Sequence, residues 1–151
     1  MSRQDIEDIL SVLPDDWTLL EGAGLDADGM ADLVHVSGVE ATISHVPEPG
    51  NLAILYAVLG APEDPLAVYR KVLEGAHLWD KTRSVTIGLR PGSNELAAFA
   101  AIPLGEGFGQ RFDDVSRAFA EDCLIWAGIV AGLDEAEDAE EHALLDPSAR
   151  I

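Results

Sequence analysis

From Leu52 to Leu59 the chain reads Leu-Ala-Ile-Leu-Tyr-Ala-Val-Leu, apolar at nearly every position, with Pro49-Gly50 before it and Gly60 after it. A run this short, closed by breakers at both ends, is a strand rather than a helix, and its pattern predicts side chains buried on both faces. A helix start follows at once: Asp64 is placed as N-cap and Pro65 as first helical residue, where its missing N–H costs nothing. Leu66, Tyr69, Leu73 and Ala76 recur at steps of three or four and share one helical face. The helix is expected to end near Leu78. A central strand thus feeds an amphipathic helix that must fold back onto the sheet.

The rest of the chain supplies partners for that unit. Ser2 to Leu13 reads as a helix, with Ser2 and Asp5 as a capping box and Ile6, Ile9, Leu10 and Leu13 as its apolar stripe. Pro14 ends it, and Trp17, Leu19 and Leu20 follow without a clear assignment. Ala31 to Val36 and Val39 to Val46 read as a hairpin joined by Ser37-Gly38. Arg83 to Leu89 reads as a fourth strand and Glu95 to Leu104 as a fifth, apolar on both faces. Gly105 to Gly109 is a connection, and Phe112 to Leu133 the longest helix, with Phe112, Val115, Phe119, Cys123, Trp126, Val130 and Leu133 along one stripe. The order αβββαββα predicts an α+β fold: a twisted, mainly antiparallel five-stranded sheet packed with three helices on one side. Residues 1–133 form the domain. Residues 134–151, with seven acidic residues against one Arg, read as an acidic extension, partly disordered.

Charge narrows the function. The net charge is −19 over 151 residues. Such a field repels phosphate backbones and anionic membranes, so neither nucleic acid nor membrane is an expected partner, and basic partners are favoured. Cys123 is the only cysteine, so no internal disulfide forms. With an acidic, mixed N-terminus and no apolar run near the ~20 residues that span a bilayer, the expected location is the cytoplasm.

No catalytic or metal set survives inspection. Asp26-Ala27-Asp28-Gly29 resembles a calcium loop, but alignment on Gly29 puts Gly24 and His35 where a carboxylate and a Glu are needed. His35 and His45 lack further ligands for zinc. Gly105-Glu106-Gly107-Phe108-Gly109 precedes a helix as a phosphate loop does, yet Glu106 and Asp113-Asp114 would repel a phosphate. Cys123 lies on an apolar stripe, as a buried hydrophobe does. The carboxylate pairs Asp15-Asp16 and Asp113-Asp114 read as solvated helix ends. Arg70, Lys71, Lys81, Arg83 and Arg90 gather scarce positive charge around the second helix and fourth strand, as a solvated face or an interface would. No cofactor is expected, and a binding protein is favoured over an enzyme.

The apolar strand, the short Pro-containing loop Ala61-Pro62-Glu63-Asp64-Pro65 and the following helix rich in Leu and small residues resemble the Tir-chaperone family of type III secretion chaperones. The resemblance spans roughly residues 3 to 133 and rests on element order and loose patterns. Where that family often ends its second helix in a Leu-Leu-x-Ala-Asn-like segment, this chain has Val-Leu-Glu-Gly-Ala-His, with His77 at the Asn place. The resemblance implies a cytoplasmic homodimer that binds the N-terminal region of a secreted effector in extended form and keeps it secretion-competent. By region, the expected client-binding residues are Ile6, Leu10, Leu13, Val34, Val36, Ile43, Leu52 and Ile54. The expected dimer interface is Leu73, Leu78, Trp79, Val85, Ile87 and Leu89. Two alternatives stay open: a general protein-binding or regulatory module of the same fold, and a small enzyme whose site is not evident.

Overall fold

A computed structural model describes residues 3–20, 22, 24–76 and 85–132. Its elements run α1 (Arg3–Leu10), β1 (Trp17–Leu19), β2 (Met30–His35), β3 (Glu40–Val46), β4 (Leu52–Gly60), α2 (Pro65–Ala76), β5 (Thr86–Leu89), β6 (Leu96–Pro103) and α3 (Phe108–Val130). The six strands form one sheet in the order β1-β2-β3-β4-β6-β5, antiparallel at every pairing. The fold is therefore α+β, as the element pattern predicted, with one strand more than expected. The acidic extension from residue 134 lies outside the described residues.

The connections follow local chemistry. The β2–β3 hairpin closes where the Gly38 N–H donates to His35 O, at 2.8 Å, and Gly38 takes φ 93°, which a Cβ would strain. The loop before β2 is an Asx turn: Asp26 Oδ1 accepts the N–H groups of Asp28 and Met30 at 2.9 and 3.0 Å. Asp64 Oδ1 accepts from the Ala67 N–H at 3.4 Å, a long capping contact ahead of Pro65. Gly107 caps α3 at φ 80°. Arg111 ties the start of that helix to the end of β6, its guanidinium donating to Pro103 O and to Glu106 O at 2.7 Å each.

One core joins the helices to one face of the sheet. Ile6 and Leu10 of α1, Val68 and Val72 of α2, and Phe108, Phe112, Phe119, Cys123, Trp126 and Val130 of α3 meet Leu33, Ile43, Leu55, Leu59 and Ile102 from the strands. A fully buried aliphatic or aromatic side chain stabilises by about 1.5–3 kcal/mol relative to exposure, so this layer dominates the fold's stability.

Four sequence expectations are corrected and one open stretch is assigned. Trp17 to Leu19, unassigned in sequence, form the edge strand β1, because Thr18 and Leu19 find partners in Val34 and Leu33. The strand β4 is buried on one face only: Ala53, Leu55, Ala57 and Leu59 face the core, while Leu52, Ile54 and Tyr56 are half-buried and Val58 is exposed. Antiparallel hairpins place no described helix across the second face, and β4–α2–β5 is the crossover among the described elements. In α2 the stripe facing inward is Val68, Val72 and Gly75; Leu66 and Leu73 are 82% and 72% exposed. Small and β-branched residues let the helix axis approach the sheet, and the bulkier Leu stripe is left outside. The helix α3 starts a turn early, at Phe108, because that ring is buried beside Phe112 with centroids 6.1 Å apart. The fourth strand is shortened to Thr86–Leu89, with Val85 buried just before it; Leu78, Trp79 and Arg83 lie outside the described residues.

Candidate protein-binding surface

The second face of the sheet is a surface that no described helix covers. Strand alternation and register set its residues: Thr18 on β1, Met30, Asp32 and Val34 on β2, Glu40, Thr42 and Ser44 on β3, Leu52, Ile54, Tyr56 and Val58 on β4, and Phe99, Ala101 and Pro103 on β6. Register aligns them into cross-strand rows. One row is Met30, Ser44, Ile54 and Ala101; the next is Asp32, Thr42, Tyr56, Phe99 and Thr86. The β4–β6 half of the face is thus apolar and the β2–β3 half polar. On this face Val58 is 44% and Phe99 37% exposed in the apolar half, and Met30 is 44% exposed on β2.

A 290 Å³ depression lies where the two halves meet, between Leu20, Asp32, Glu40, Thr42, Tyr56 and Val58. Thr42 Oγ1 donates to Asp32 Oδ1 at 2.7 Å and orients that carboxylate across the strand pair. The two edges of the sheet, β1 and β5, each pair on one side only. A strand edge of this kind accepts an added strand through main-chain hydrogen bonds.

The expected client-binding residues separate into two groups. Ile6, Leu10 and Ile43 are 0%, 6% and 0% exposed and belong to the core, so they offer no surface; their correction follows from the inward half of each period. Val34, Leu52 and Ile54 lie together on the open face, Val36 is exposed at the end of β2, and Leu13 is half-buried after α1. Among the dimer candidates, Leu73 and Leu89 are exposed, Ile87 is half-buried, and Val85 is buried at 4%. Missed by sequence reasoning were Tyr56, Val58 and Phe99, whose outward direction needed the strand register, and Leu66, placed on the wrong side of α2. The outward Leu66 and Leu73 and the half-buried Tyr69 line a shallow groove with Arg70 and Glu74, which pair at 2.8 Å.

The remaining chemistry is structural. His35 packs edge-on to Trp17, centroids 4.9 Å apart, with Nδ1 2.8 Å from Ser37 Oγ; His45 Nε2 lies 3.2 Å from Asn51 Oδ1. Burial, and after it the neighbouring Asp122 carboxylate, pushes the Cys123 thiol up to about 12, which leaves it protonated and unreactive at neutral pH. Among the described residues no three His, Cys, Asp or Glu side chains converge as a metal site, and no helix is long and apolar enough to cross a membrane.

This arrangement, a helix-backed antiparallel sheet with one open face, is a known fold class seen in solved protein complexes. A chain from the crystal structure of the ExsC–ExsE complex matches with TM-score 0.64 and 15% identity over 85% of this chain and 92% of the other. A chain from the structure of the HopA1–SchA chaperone–effector complex matches with TM-score 0.55 and 18% identity over 85% of this chain and 91% of the other. At these identities the likeness is one of fold. No family model matches the sequence, and no curated protein matches it.

Proposed function

We propose that the protein is a cytoplasmic, non-enzymatic chaperone for a type III secretion effector, holding the client's N-terminal region as an extended segment. The observation that carries this reading is the open apolar sheet face on a fold shared with a chain of a chaperone–effector complex. Extended segments suit such a face. Apolar side chains of the client cover Val34, Leu52, Ile54, Tyr56, Val58 and Phe99, and a free strand edge supplies main-chain hydrogen bonds. Leu13 and Val36 extend the contact at its ends. Two copies associate through α2, where Leu66 and Leu73 point outward with no described cover; Ile87, Leu89 and the expected Leu78 and Trp79 complete that interface. A stable dimer removes upwards of about 1,200 Å² from water.

The test is co-purification from the native host with Ile54→Asp beside the wild type. The wild type is expected to bring down one larger protein, protected from proteolysis along an N-terminal stretch, and Ile54→Asp to lose it while melting normally. Recovery of no partner, or of one held through a folded domain, overturns the reading. Ile43→Asp is the wrong probe: burying an unpaired charge there costs roughly 3–5 kcal/mol and unfolds the chain instead.

A further inference from the structure

We propose that the depression between β2, β3 and β4 selects a client segment in which basic residues alternate with apolar ones. This rests on the open face being the client surface and names the kind of segment it takes. The open face is anionic as well as apolar. Its charged side chains are Asp32 and Glu40, and none of its residues is Lys or Arg. Within the described residues Glu40 has no hydrogen-bond or ion-pair partner, and Asp32 is met by Thr42 at one oxygen. The ion pairs of the described residues lie elsewhere, on α1, on α2 and across the turn from β5 to β6.

Shape and charge coincide at one place. Leu20, Tyr56 and Val58 give the depression apolar walls, while Asp32 and Glu40 stand on its β2–β3 side. An extended segment turns successive side chains to opposite faces, so residues two apart face the sheet together. A Leu or Val in the depression thus sets its neighbours two places along within reach of a carboxylate. A segment Leu-x-Lys-x-Leu satisfies apolar walls and free carboxylates at once. A second copy of this chain cannot, because its own open face carries the same two carboxylates and no cation, and both copies carry −19. Charge complementarity therefore assigns this part of the face to a basic–apolar segment and leaves self-association to α2.

The experiment uses the full chain and three short acetylated peptides, alternating Leu with Lys, with Ser and with Glu. Binding is read by fluorescence anisotropy at low and physiological salt. The Leu–Lys peptide is expected to bind most tightly and to weaken with salt. Asp32→Asn with Glu40→Gln is expected to weaken it by about five- to tenfold, two partly exposed ion pairs in the middle of their usual range. A control with the same charge change away from the face, Glu63→Gln with Glu121→Gln, stays within about twofold, which separates the depression from the general field of the molecule. Equal affinity for Leu–Lys and Leu–Ser peptides, or an equal loss in both double variants, overturns the inference. So does a Val58→Asp variant that turns a dimer into a monomer while the wild type binds no peptide, since the face then belongs to a second copy. Failure here alongside native co-purification of an effector leaves the chaperone reading standing. Peptide selection without any native partner removes the chaperone reading instead.

Discussion

Single side chains decide which part of this molecule is scaffold and which is surface. Cys123 sits on the apolar stripe of α3 and is 1% exposed; its thiol is held protonated up to about 12 by burial and then by Asp122. The unfolded thiol ionises near its ordinary value of about 8.5. Between those values the unfolded chain holds fewer protons than the folded one, so stability is complete below about pH 8.5 and falls as pH rises toward 12, by about 1.4 kcal/mol per pH unit. Alkaline melting curves are expected to drop less steeply for Cys123→Ala than for the wild type. Native protein is expected to resist a thiol reagent at pH 7 and to react only on unfolding; fast native labelling would contradict the burial. The contrast between Ile43 of β3 and Ile54 of β4 teaches the same lesson in strands. Both are strand isoleucines, yet one is fully buried in the core and the other half-buried on the open face.

At the scale of elements, α2 is the clearest case of a pattern with two solutions. Leu66, Tyr69, Leu73 and Ala76 obey helical spacing, and so do Val68, Val72 and Gly75. Periodicity marks a helix in either case but does not say which stripe turns inward. Packing decides it, since small and β-branched side chains permit a close approach that Leu does not. Val72→Asp is accordingly expected to unfold the protein, by roughly 3 kcal/mol or more for a buried unpaired charge. Leu66→Lys with Leu73→Glu is expected to leave the melting midpoint within a few degrees and to convert a dimer to a monomer by light scattering. A monomeric wild type at micromolar concentration would remove α2 as a dimer element. β1 shows a different limit, for three residues carry too little period to announce a strand, and only their partner β2 makes them one.

For the whole molecule, charge and topology act on different properties. At −19 the chain repels itself, and that repulsion reaches ~30 Å at 0.01 M salt but only ~8 Å at 0.15 M. The melting midpoint is therefore expected to rise with sodium chloride over that range, by differential scanning calorimetry; a flat response would mean that the charges are too far apart to matter. Removing residues 134–151, which carry seven acidic residues and one Arg, is expected to leave the midpoint nearly unchanged, because no apolar core can be built from that composition. The sequence by itself determined the element types, the three described helices, most of the strands, the α+β class and the acidic character. Those depend on local period, turn residues and composition, each readable within a dozen neighbours. Tertiary structure alone decided that one face of the sheet carries no described helix, that Leu52, Ile54, Tyr56 and Val58 lie on it, and that α2 turns Leu66 and Leu73 outward. Each of these depends on which distant segment arrives on which side, and an apolar residue looks the same in sequence whether a helix covers it or a partner must.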